Sequence, residues 1–247
     1  MMQTLFVATQ QSSTREWVPV ARLDRDADGF RLVYTRGAMR AEGFRPFGRM
    51  DDLHGVYRST DLFPLFANRV LTRSRPEFSN YFRWTGLPTD FKDDPLQILA
   101  ITGGLRGTDP IEVFPLPERT SDGRLRIDFF VRGMQYFASP NVEAANLLQA
   151  GTRLYMMHDL QNEYDRYALC LRTGDPAYLL GYLPKYYTHD VCRLLEADAG
   201  DVRVTVKQVN SGAPLSMRVL CSLDAPWPED FEPFSDNADL TPIASVS

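Results

Sequence analysis

The side chains of this 247-residue chain that could do chemistry lie mainly in three short segments. These are Gly133-Met134-Gln135-Tyr136-Phe137, the run His158-Asp159-Leu160-Gln161-Asn162-Glu163-Tyr164-Asp165-Arg166-Tyr167-Ala168-Leu169, and Gly181-Tyr182-Leu183-Pro184-Lys185. Neighbouring aromatics can stack an unpaired base, worth about 1–3 kcal/mol per base and tolerant of sequence. Alternation along a strand turns one of two neighbours inward, and Tyr136 is expected to be the exposed one. Other chemistries find no pattern here. His54, His158 and His189 are scattered, and His158 and Asp159, as strand neighbours, would point to opposite faces. Ser211-Gly212 reads as a turn and lacks the Gly-x-Ser-x-Gly setting of a nucleophile elbow. Asp51-Asp52 and Asp93-Asp94 read as turn and cap residues, not as a Mg²⁺ pair. Cys170, Cys192 and Cys221 form no Cys-x-x-Cys pair and sit in apolar runs, so they are expected to be core thiols. The expectation is a protein without enzymatic activity, metal or cofactor.

Those segments need a scaffold, and composition supplies one. With 44% hydrophobic and 24% charged residues the chain has the makings of real cores. Its length suits two domains. No apolar run reaches the roughly 20 residues of a membrane span, and the start Met1-Met2-Gln3-Thr4-Leu5-Phe6 does not read as a signal peptide, so a cytoplasmic protein is expected. Lys plus Arg against Asp plus Glu is 16 to 16 over residues 1–123, 11 to 10 over 124–223 and 0 to 6 over 224–247. The net charge of −5 therefore lies in the tail. Neither body segment carries the broad basic field of a nonspecific duplex binder, so nucleic-acid contact should be local.

Along the chain, Leu5–Ala8, Trp17–Leu23 and Phe30–Tyr34 read as strands, the last two joined by a turn at Asp26–Gly29. Helical spacing is expected over Leu62–Leu71, Arg75–Trp84 and Asp94–Thr102, with Asp93 or Asp94 as N-cap before Pro95 and Gly103-Gly104 as the stop. A strand returns over Pro110–Phe114. The prolines and small polar residues of 116–123 mark a linker. Beyond it, strands are expected at Leu125–Val131, Thr152–Met157, Ala168–Leu171, Leu179–Leu183, Val202–Val209 and Leu215–Leu223, with helices at Asn141–Ala150 and His189–Glu196. The fold class is thus an α+β domain over 1–115, with an antiparallel sheet and helices, followed by a small mainly-β barrel over 124–223 with one or two helices. Residues 224–247 form an acidic flexible tail, read either as solubilising or as folding Trp227, Phe231 and Phe234 back over a binding mouth.

The polar run ending in Asn-x-Tyr-Asp, the Ala-Leu-Cys-Leu strand and the Gly-Tyr-Leu-Pro-Lys turn resemble the HIRAN domain, an OB-like β-barrel module. The resemblance implies binding of single-stranded DNA, and in end-binding relatives of a free 3′ end. It implies Tyr136 and Phe137 as the stacking platform, and Asn162, Tyr164 and Asp165 as the pocket for the terminal nucleotide. Asp165 would accept the 3′ hydroxyl, since a carboxylate favours a hydroxyl and repels a continuing phosphate. Asn162 and Asp165 could equally serve only to shape the loop. Lys185 stands where the family places a cation near the backbone, Glu163 stands where proline is usual, and Gln135 stands where an end-binding relative has arginine. Residues 17–115, through Phe63-Pro64-Leu65-Phe66-Ala67-Asn68-Arg69-Val70-Leu71 and Leu99-Ala100-Ile101-Thr102-Gly103-Gly104, resemble the small N-terminal subdomain of HipA-type toxin kinases. No kinase catalytic motif follows. That resemblance implies an alternative role as a regulatory, antitoxin-like subunit docking on a separate kinase in a toxin–antitoxin or phage-defence system. Phe63, Phe66, Phe78 and Trp84 would form its interface, or else belong to the core.

Overall fold

The computed structural model describes residues 3–107 and 109–244. It resolves into two units that are not contiguous in sequence. The first holds the chain up to Arg75, Asp90–Leu116 and the chain from Glu232 onward, and the second holds Pro76–Thr89 and Pro117–Phe231.

In the first unit, β1 (Gln3–Gln10), β2 (Trp17–Asp26), β3 (Gly29–Tyr34), β4 (Val56–Ser59) and β5 (Ile111–Pro115) form an antiparallel sheet in the order β4-β3-β2-β1-β5. Leu5, Val7, Val20, Leu23, Leu32 and Val113 are fully or almost fully buried with Phe66, Leu96 and Leu99. The core also holds Tyr34, whose hydroxyl donates to Met50 O at 2.6 Å and accepts from Phe47 N at 2.7 Å. Four short helices occur in this stretch of chain: α1 (Gly37–Arg40), α2 (Pro64–Ala67), α3 (Phe78–Trp84) and α4 (Pro95–Thr102), of which α3 belongs to the second unit. The α4 boundaries match their sequence signals. Asp94 accepts from Leu96 N and Gln97 N, Pro95 fills the first turn, and Gly103 closes the helix at φ 72°. The helices expected over 62–71 and 75–84 are shorter than their periodicity. A proline at position 76 disfavours helical geometry at the residue before it, and α3 starts only at Phe78.

In the second unit, β6 (Arg124–Phe130), β7 (Arg153–His158), β8 (Leu169–Arg172), β9 (Leu179–Tyr182), β10 (Arg203–Val209) and β11 (Val219–Pro226) form a curled antiparallel sheet in the order β6-β11-β10-β7-β8-β9. Its two ends meet just beyond β6, where Arg132 N donates to Tyr182 O at 2.9 Å and Tyr182 N donates to Arg132 O at 2.8 Å. Closure of this kind pairs edge strands that would otherwise present free backbone groups. Gly181 permits it: its φ is +142°, and a Cβ there would overlap Arg132 O and Val131 Cγ1. The helices α5 (Ser139–Asn146) and α6 (Lys185–Asp198) complete the unit. Tyr187, Val191 and Leu194, spaced at one face of α6, are buried. The fold class is therefore α+β first, then a curled β-sheet with few helices.

Two expectations change. The stretch 116–123 is not a free linker, because Thr120 and Arg124 close a turn with Thr120 N to Arg124 O at 2.9 Å and Leu116 N bonds to Thr4 O at 3.1 Å. Residues 224–244 are not a flexible tail either. Residues 224–226 finish β11, Phe231 is buried, and Phe234 packs edge-on against Phe6 and Phe114. Asp239 pairs with Arg40, and Ile243 N donates to Tyr34 O at 2.9 Å. Aromatic residues spaced among the acids give this segment enough apolar surface to pack. Residues 245–247 lie outside the described residues.

Candidate functional site

The closure of the sheet creates the site. After Arg132, Gly133 adopts φ 72°, a left-handed conformation that turns the chain into a single 3-10 turn over Met134–Tyr136. Met134 is buried and anchors the turn, and the turn throws Tyr136 outward to 73% exposure. A Cβ placed on Gly133 would lie 3.4 Å from the Tyr182 ring and 3.5 Å from the Tyr136 ring, so the two rings flank this glycine. Phe137, half-buried, sits with its ring centroid 5.7 Å from that of Tyr182. Tyr136 is the exposed neighbour, as expected, but a 3-10 turn and not strand alternation makes it so.

Tyr182 ties this aromatic group to the β7–β8 loop. Its hydroxyl donates to Asp159 Oδ2 at 2.9 Å, and Asn162 Nδ2 reaches the same oxygen at 3.2 Å. Asn162 Oδ1 accepts from Tyr164 N at 3.1 Å and Asp165 N at 3.0 Å, the side-chain-to-backbone pattern of an Asx turn. Asp165 Oδ1 accepts from Tyr167 N at 2.9 Å. The Thr188 hydroxyl lies 2.9 Å from Asp165 Oδ2 and 2.7 Å from Lys185 O, with one proton for the two acceptors. Lys185 Nζ donates to Tyr164 O at 2.9 Å, and His158 Nε2 lies 2.8 Å from Arg166 O. The loop is thus cross-braced from within and from the start of α6, while Leu160 and Tyr164 project at 82% and 58% exposure.

Charge follows the same network. Hydrogen bonds first from Asn162 and then from Tyr182 hold the Asp159 carboxyl below the usual carboxylate range. Burial, then the bond to Asp159, pushes the Tyr182 hydroxyl up to about 12, so it stays a neutral donor at physiological pH. Burial also raises the thiols: Cys170 and Cys192 to about 11, and Cys221 higher. None of them is a thiolate at neutral pH. Arg166 lies over the Tyr167 ring at 4.6 Å.

Tyr136, Phe137, Asn162, Tyr164, Asp165 and Lys185 are therefore drawn to one end of the second unit, linked through Tyr182 and Asp159. Asn162 acts within its own loop. Asp165 uses at most two of the roughly four acceptor positions of a carboxylate, one for Tyr167 N and one within reach of the Thr188 hydroxyl. Phe63, Phe66, Phe78 and Trp84 do not make an exposed patch. Phe66 is fully buried in the first unit and Phe63 packs against that core, whereas Phe78 is buried in the second. Trp84 is half-buried there and its carbonyl accepts from Asn210 Nδ2 at 2.9 Å. Sequence inspection missed Tyr182, Asp159 and Thr188 as bracing residues. Tyr182 and Thr188 are 23 residues from the carboxylates they meet, and no local spacing signals such a pairing. Among the described residues no group of three His, Cys, Asp or Glu could hold a metal ion, and no helix is long and apolar enough to cross a membrane.

A family model for the HIRAN domain matches residues 125–227, wholly inside the second unit. Over those residues the second unit is similar to a HIRAN domain. Two solved structures are similar to part of the chain. One is the HIRAN domain of human HLTF, at 14% identity over 42% of this chain and 74% of that one, with a TM-score of 0.32. The other is a protein from Lactobacillus plantarum, at 18% identity over 42% of this chain and 97% of that one, also with a TM-score of 0.32. No curated protein matches the chain. The matched residues exclude 17–115, so the family match lends nothing to the kinase-subdomain resemblance.

Proposed function

We propose that the protein is a non-enzymatic DNA-binding protein whose HIRAN domain takes single-stranded DNA and ends the strand at the braced loop. The observation that carries this reading is Tyr136, 73% exposed beside Tyr182 in a domain matched to HIRAN over 125–227. Tyr136 stacks the last base, with Phe137 and Tyr182 behind it. Tyr164 projects from the braced loop at 58% exposure. Asp165, held from behind by Tyr167 N and Thr188, has acceptor capacity left for a 3′ hydroxyl. Lys185 and Arg166 supply positive charge close to the loop, which matters because Gln135 brings none. The groups assembled here stack and hydrogen-bond, which suits recognition over bond cleavage.

The direct test is titration of wild type and Tyr136→Ala with a labelled single strand. Tyr136→Ala is expected to weaken binding by about 1–3 kcal/mol with thermal stability unchanged, because the ring is mostly in solvent. Equal affinity of the two proteins would falsify the platform.

A further inference from the structure

Alternate residues of β7 point to one face of the sheet, and Arg153, Tyr155 and Met157 are all exposed while Leu154 is buried. Arg172 lies directly opposite Tyr155 on β8 and shares its face. The Tyr155 ring carries both guanidinium groups, Arg153 Cζ at 5.2 Å from its centroid and Arg172 Cζ at 5.1 Å. Arg172 Nη1 is steadied by Thr173 O at 2.9 Å. Two like charges beside one ring repel, and the ring's quadrupole offsets only part of that.

Several cations elsewhere in this unit are ion-paired. Arg124 pairs with Asp201 and Asp224, Arg126 with Asp122 and Asp224, and Lys207 with Asp128. Among the described residues neither Arg153 nor Arg172 faces a carboxylate at ion-pair distance. Arg124 and Arg126 on β6 and Lys207 on β10 are thus matched, whereas Arg153 on β7 and Arg172 on β8 share one ring with no carboxylate at that distance.

That pair lies on a path from the proposed end site. Tyr182 stands opposite Cys170, Cys170 opposite Met157, and Tyr155 is two residues along β7 from Met157. Strand spacing and rise place Tyr155 about 12 Å from Tyr182.

The geometry points to a second subsite for the same strand: Arg153 and Arg172, splayed on Tyr155, clamp the phosphate backbone of a single strand whose end lies at Tyr136 and Tyr182. The inference rests on the end-binding reading above and extends it to strand length. The site takes phosphodiester, and its contribution begins only once a strand outgrows the end pocket.

Anisotropy of the full chain with oligothymidylates of about 2 and about 10 nucleotides, at two salt concentrations, tests it. Wild type should bind the longer strand more tightly. Arg153→Gln with Arg172→Gln should reduce long-strand affinity to that of the short strand and lower the salt slope by about 1.4, leaving the short strand unaffected. Arg126→Gln with Lys207→Gln removes the same charge from matched positions and should change neither. The clamp is overturned if the first variant keeps the gain with length, or if the control loses as much. If wild type binds neither strand, the end-binding reading itself fails and the clamp goes with it.

Discussion

At the scale of single residues, Asp159 organises the site without having to touch a ligand. Its carboxylate is held by Asn162 first and Tyr182 second. A carboxyl whose folded pKa is depressed adds stability that is full above its unfolded value of about 4, and that is lost as pH falls through the lowered value. Tyr182 is the mirror case: raised to about 12, it adds stability present below about pH 10 and lost as pH rises through its folded value. The loop is therefore braced across the whole physiological range. Asn162→Ala should move the Asp159 carboxyl back up toward its ordinary value by more than Tyr182→Phe does, read by carboxyl-carbon NMR titration. An Asp159 titration unmoved by either change would remove Asp159 from this role. The residue types were legible in the chain, down to Tyr136 as the exposed aromatic. Their partners were not, because Tyr182 reaches Asp159 and Thr188 reaches Asp165 only after the sheet has curled.

At the scale of elements, what positions the site is the meeting of β9 with the chain beyond β6. Gly181 stands at that meeting with φ +142° and no room for a Cβ against Arg132 O. Gly181→Ala should destabilise the protein by more than about 1 kcal/mol and weaken single-strand binding along with it, measured by denaturant melts and titration in parallel. Unchanged stability would mean that the closure is dispensable. The helix α4 offers a contrast, since Asp94, Pro95 and Gly103 announced both its ends. Asp94 also bonds Arg25 at 2.8 Å, so Asp94→Ala should cost about 0.5–2 kcal/mol, the upper part of the range if the ion pair counts. Helices α2 and α3 were overestimated because Phe and Leu at helical spacing also describe apolar residues in turns that pack on a core.

At the scale of the whole molecule, sequence patterns mark elements far better than they mark which elements belong together. The proline-rich stretch 116–123 reads as a linker in the sequence, and the two units divide between Leu116 and Pro117. The two exchanges that break contiguity, α3 into the second unit and the chain from Glu232 into the first, leave no mark in composition. They depend on pairings such as Asn210 with Trp84 O, and Phe234 with Phe6 and Phe114, between residues more than a hundred positions apart. Removing residues 232–247 should accordingly lower the melting temperature of the protein; a melting curve unchanged by the truncation would restore the picture of a loose tail.

The braced loop and Tyr136 are proposed to receive the end of a DNA strand. Fluorescence anisotropy with single strands carrying either a free or a phosphorylated 3′ end, at two salt concentrations, tests it most directly. Tighter binding of the free hydroxyl is expected, a preference that Asp165→Ala abolishes. Equal binding of both ends, or preference for the phosphate, would contradict it.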